Sequence, residues 1–106
     1  MANPWTGEVA LVVDGERRVM KLTLGALAEL EEALGEGAMV ELVQRFEGGG
    51  FSARDVLALL AAGLRGGGHD LSAEALGRAD IEGGPMAAAR AAAELLARAF
   101  VLPETT

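Results

Sequence analysis

Residues 8–22 read Glu8-Val-Ala-Leu-Val-Val-Asp14-Gly15-Glu-Arg-Arg-Val-Met-Lys-Leu22. Two β-rich runs flank Asp-Gly, the dipeptide that suits a tight hairpin turn because glycine adopts positive φ without steric cost. With Asp14 and Gly15 as the loop residues, Val9 faces Met20 and Glu8 faces Lys21. Val9, Leu11, Val13, Met20 and Leu22 then share one face, while Glu8, Arg17 and Lys21 share the other. Two strands alone are marginal in water, so helices or further strands must cover the apolar face.

Working outward, Thr23 is placed to cap a helix over 24–34, with Leu24, Leu27, Leu30 and Leu34 at helical spacing. Gly35 stands at its C-terminal cap. A second helix over 38–47 lines up Met39, Leu42, Val43 and Phe46 before Gly48-Gly49-Gly50. Ser52 and Asp55 have capping-box spacing, with Asp in the place of the usual Glu or Gln, and open a helix over 53–65. Phe51 is positioned to staple onto Val56. Val56 to Leu64 is apolar all round, the signature of a buried helix, and this one is expected at the centre of the fold.

Gly66-Gly67-Gly68 ends that helix, and Ser72 caps a short one over 73–78. Residues 80–84 read as a loop. Gly84-Pro85 starts a final helix over 85–101, since proline is favoured in the first helical position. Met86, Ala89, Ala93, Leu96 and Phe100 are expected on its buried face, and Arg90, Glu94 and Arg98 on the other, where residues four apart can pair. Residues 101–106 are expected to fray. No repeat or linker divides the chain, so 1–106 reads as one α+β domain: an N-terminal hairpin and five helices around a buried central helix.

Composition limits the function classes. The chain of 106 residues is 51% hydrophobic, enough for one core, so disorder is confined to ends and glycine runs. It has no cysteine, which excludes disulfides, thiolate metal sites and thiol nucleophiles and fits a reducing compartment. Nothing near Met1 resembles a signal peptide, and the longest strongly apolar stretch, 56–64, falls well short of the ~20 residues that span a bilayer. A cytoplasmic protein, without membrane contact, is the expectation. Arginine outnumbers lysine eight to one, which with the many alanines and glycines suggests a GC-rich bacterial source.

Net charge is −7, unevenly spread. Residues 1–23 balance, whereas 24–50 carry six acids (Glu29, Glu31, Glu32, Glu36, Glu41, Glu47) against Arg45 alone. Phosphate backbones would be repelled, so nucleic acid is not an expected partner. The acidic segment is either a solvated face that aids solubility or a surface that meets a basic partner.

No catalytic, cofactor or metal site emerges. His69 is the sole histidine, and a metal site would want several imidazoles or thiolates. Neither glycine triplet is followed by Lys-Ser/Thr, so neither is a phosphate loop. The glutamates lie on helix surfaces rather than facing each other across a cleft. Candidate contacts with a partner protein are Trp5, Met39, Val43, Phe46 and Phe51, because methionine and aromatic groups serve adaptable apolar grooves. Core packing is the alternative for each of the last four.

Taken together, Gly7-Glu8-Val9, the Asp14-Gly15 hairpin, Leu22-Thr-Leu-Gly-Ala-Leu-Ala-Glu-Leu-Glu-Glu-Ala-Leu-Gly35 and Phe51-Ser52-Ala-Arg-Asp55 carry a resemblance. Gly63-Leu-Arg-Gly-Gly-Gly-His-Asp70 and the Ala-rich last helix complete it. The chain resembles the small tail proteins of gene transfer agents, the phage-like particles of alphaproteobacteria, over nearly its whole length. That resemblance implies a role in a phage-like tail and brings no catalytic or cofactor residues. Members have been described as tail tube proteins, while small size and genome position suggest tail assembly chaperones. A chaperone would bind the tape-measure protein, the tail tube protein or both; a tube component would remain in the particle. A homo-oligomer is compatible with either reading.

Overall fold

The computed structural model describes residues 7–35 and 37–99, apart from the Ala38 side chain. Strand β1 (Glu8–Val13) and strand β2 (Glu16–Lys21) form the expected antiparallel hairpin, with Val9 opposite Met20 and Glu8 opposite Lys21. Asp14 and Gly15 both have positive φ, 51° and 80°, as a two-residue turn of this twist requires. Val9, Leu11, Val13, Met20 and Leu22 are buried on one face.

Five helices follow: α1 (Leu24–Leu34), α2 (Ala38–Gly48), α3 (Ala53–Gly66), α4 (Ala73–Arg78) and α5 (Gly84–Ala99). The second and third run one residue past their expected ends, and the fifth begins one residue early. Phe100 to Thr106, expected to finish α5 and fray, lie outside the described residues. Each start has its local cause. Thr23 accepts from the Ala26 N–H, Ser72 from the Ala75 N–H, and Ser52 with Asp55 forms a reciprocal capping box.

Helix α3 packs on β2 and α5 on β1, so the pair covers the apolar face of the hairpin; α1 and α4 pack against α3 from its other sides. Leu59, Leu60 and Leu64 of α3 are fully buried beside Met20, Leu42, Leu76 and Leu95, bringing nearly every element into one hydrophobic cluster. The all-apolar stretch 56–64 is indeed the centre of the molecule. Burying each such leucine contributes about 1.5–3 kcal/mol, which makes this helix the largest single source of cohesion.

Two expected faces are met only in part. In α1, Leu27, Leu30 and Leu34 pack in or against the core with Ala26, whereas Leu24 is 84% exposed. Leu24 is the first residue of its helix and overhangs the core. In α5 the buried residues are Ala88, Ala91, Ala92, Leu95 and Leu96, whereas Met86 is 73% exposed and Ala93 is exposed. An alanine-rich helix has little contrast between faces, and the small side chains turn inward because they permit close approach to the hairpin. Of the expected surface pairs, Glu94–Arg98 forms at 3.5 Å, and Arg98 also donates to the Glu8 carbonyl.

Both edges of the hairpin are obstructed. Val13 and Glu16 flank a two-residue turn and so form a hydrogen-bonded pair, which leaves the backbone groups of Val19 and Lys21 pointing outward. Gly66 and Gly67 abut those carbonyls. A Cβ at Gly66 would lie 1.9 Å from the Lys21 oxygen, and one at Gly67 2.0 Å from the Val19 oxygen. The glycine triplet is therefore more than a break between helices: it lets the end of α3 rest on the strand. Along β1, residues 80–82 are not a free loop. Ile81 bridges Val13, Asp14 N–H donates to the Asp80 carbonyl at 2.7 Å, and Glu82 N–H donates to the Val12 carbonyl at 3.1 Å.

Candidate protein-binding site

The link between α2 and α3 organises the exposed apolar surface. Phe46, near the end of α2, and Phe51, just before α3, stack with ring centroids 4.5 Å apart and planes 7° from parallel. Both are half-buried. Offset stacking of this kind contributes about 0.5–1.5 kcal/mol beyond burial, so the pair fixes the short glycine-containing link.

A charged clamp sits beside the rings. Arg45 of α2 donates to Asp55 Oδ1 at 2.8 Å and to Glu41 Oε2 at 3.0 Å. Asp55 Oδ2 accepts from the Ser52 N–H at 2.9 Å. Burial alone would raise the Asp55 carboxyl, but the Ser52 N–H and the Arg45 guanidinium outweigh it and hold it below the ordinary carboxylate range. One carboxylate thus caps α3 and ties α2 to it.

Each ring borders a groove. Phe46 lines a cavity of about 300 Å³ with Val43, Glu47, Ala93, Leu96 and Ala97, between α2 and α5. Phe51 lines a larger one of about 590 Å³, with Val56 and Leu57 of α3, Leu76 of α4, and Ile81, Pro85, Met86 and Ala89 around the start of α5. Asp80 is the single charged residue among its lining. Such a groove has the apolar walls and few polar groups that suit a hydrophobic side chain or helix.

The residues singled out in the sequence divide accordingly. Val43, Phe46 and Phe51 line these grooves, whereas Met39 is only 9% exposed, belongs to the core and lines neither. Trp5 lies outside the described residues. Sequence reading overlooked Ile81 and Met86, which contribute to the larger groove only because the 80–82 bridge and the rotation of α5 put them there. It also overlooked the Arg45–Asp55 pair, although Asp in place of Glu or Gln in the capping box was a visible signal.

His69 has a structural part. Its Nδ1 lies 3.3 Å from an Arg18 guanidinium nitrogen, and because arginine only donates, Nδ1 is the acceptor of that hydrogen bond. Among the described residues, no group of three or more His, Asp or Glu converges to hold a metal, and no helix is long and apolar enough to cross a membrane.

No curated protein and no solved structure matches the chain significantly. A family model described as "Phage tail tube protein, GTA-gp10" does match, over residues 6–101. That span takes in the hairpin, all five helices and both grooves, so the chain belongs to the GTA-gp10 phage tail family, a non-enzymatic family of tail assembly.

Proposed function

We propose that this protein is a tail assembly chaperone that binds the tape-measure protein, the tail tube protein or both while the tail is built. The carrying observation is the apolar groove of about 590 Å³ beside Phe51, rimmed by a methionine that is 73% exposed. An exposed methionine is costly on an unoccupied surface and useful on one that adapts to an apolar client. In this reading the protein acts in the cytoplasm and leaves before the particle is complete.

The second reading, a structural component of the tail tube, is favoured by the family's own description. A tube subunit would extend its sheet into neighbouring subunits, and here the edge of β2 abuts Gly66 and Gly67 while β1 is met by residues 80–82. Strand addition would first have to displace these contacts, which supports the chaperone reading.

Co-expression with the tape-measure and tube proteins of the same gene cluster, followed by pull-down, tests the binding. Mass spectrometry of purified particles separates the readings. Capture of either client with the protein absent from particles is expected; stoichiometric presence in particles makes it a tail component. Met86→Asp provides the control on the groove. It should leave the melting temperature nearly unchanged, because the side chain is exposed, and weaken client capture by about tenfold or more. Unchanged capture would move the binding surface elsewhere.

A further inference from the structure

The smaller groove is walled by Val43, Phe46 and Glu47 of α2 and by Ala93, Leu96 and Ala97 of α5. Its space exists because Ala93 and Ala97 end at Cβ, which leaves the two helices bridged by little side-chain volume. At about 300 Å³ it stands at the floor of the range for ligand pockets, so it takes one or two side chains rather than a helix. Phe46 is held against Phe51, which borders Met86 and Ala89 at the start of α5. Val43, about one turn earlier in α2, is therefore the wall residue nearer the end of α5.

The sequence places a large apolar side chain at the next position of that wall. Beyond Ala99 the chain continues Phe100-Val101-Leu102. Positions 93, 96, 97 and 100 are three and four apart, the spacing of neighbours on one helical face. A helical side chain leans toward the N-terminus, so residue 100 of a helix covers the turn before it, here the turn of Leu96 and Ala97. One more turn would put its Cα about 4.5 Å beyond that of Ala97 along the axis, within reach of the groove for a phenylalanine. The family match runs on to residue 101, so this position lies inside the matched span.

We propose that the chain's own Phe100 occupies this groove, carried on one further turn of α5, with its ring against Val43 and Leu96. The ring then ties α2 to α5, just as the Arg45–Asp55 pair and the Phe46–Phe51 stack tie α2 to the start of α3. The smaller groove is closed from within the chain, and only the larger one is left for a client. This contact holds whether or not the protein is a chaperone.

Nuclear Overhauser spectroscopy of the isotope-labelled full chain tests this without any client. The chain has three phenylalanines, so the Phe100 ring is readily resolved, and it should give cross-peaks to the Val43 methyls. Phe100→Ala should abolish those cross-peaks, shift the Val43 methyl resonances and lower the melting temperature by about 5 °C or more. Phe100→Leu, which keeps an apolar side chain of similar reach, should recover much of that loss. A wild type without contact between Phe100 and Val43 would overturn the proposal, and that observation requires no variant to fold. So would cross-peaks from Val43 to Trp5 in place of Phe100, or to a ring of a second copy in a mixed-label sample, since each names another occupant. A melting temperature unchanged in Phe100→Ala would overturn it as well.

Discussion

Gly67→Ala is expected to cost more than about 3 kcal/mol, a large part of the stability of a domain this size. Its φ is −86°, so alanine meets no backbone strain there, and the whole penalty is steric. The new methyl carbon would sit 2.0 Å from the Val19 carbonyl oxygen, inside a strand rather than at the movable tip of a side chain. Relief requires α3 to lift off β2, which opens the contact between the hairpin and the buried leucines. Gly68→Ala, one residue on, is the internal comparison. That position has φ +89° and nothing within 4 Å, so alanine pays only the left-handed penalty of about 1–2 kcal/mol. Urea denaturation followed by circular dichroism measures both. Equal losses at 67 and 68 would mean that the end of α3 does not rest on the strand.

Asp55→Ala should cost about 3 kcal/mol, combining the lost helix cap with the lost charge-assisted hydrogen bonds. Asp55→Asn keeps the shape and removes the charge, and it should give part of that loss with a distinctive dependence on pH. In the folded protein the carboxyl titrates below its ordinary range, whereas in the unfolded chain it titrates near 4. The unfolded chain therefore takes up the proton first as pH falls. The contribution is complete above the unfolded value and is lost as pH drops through the folded one. Wild type should exceed Asp55→Asn at pH 7, and the gap should close at acid pH below about 4. A gap that persists unchanged in acid would show that the pair with Arg45 is not what holds α2 to α3.

The parts of this fold that the sequence makes legible are those set by neighbours in the chain. Asp14-Gly15 dictates a turn, the turn dictates the register of the six residue pairs around it, and Ser52 with Asp55 marks the start of α3 by local hydrogen bonds alone. The all-apolar run from Val56 to Leu64 needs no partner to be recognised as buried. What escaped depends on contacts between distant segments. Nothing in Gly66-Gly67 distinguishes a helix stop from a seat for a strand that lies more than 40 residues earlier. The orientation of α5 escaped because alanine is nearly indifferent to burial, and Met86 outweighed it in the sequence pattern. The candidate site was half legible for the same reason. Phe46 and Phe51 announce themselves as aromatic residues close in sequence, while Ile81 and Met86 join them only through tertiary packing.

The covering of the hairpin by α3 and α5 also has a consequence for the order of events at the ribosome. The strands leave first, yet the helix that shields β1 is the last element synthesised. At roughly 5–20 residues per second, several seconds pass in which Val9, Leu11 and Val13 have no cover. A lone hairpin is too weak to persist in water, so the nascent segment waits largely unpaired, and the native sheet appears only when translation has delivered α5. The tie between Asp14 and Asp80, which spans 66 positions, belongs to that same final step. Formation of the sheet thus waits on the last described helix rather than building up vectorially from the first strand.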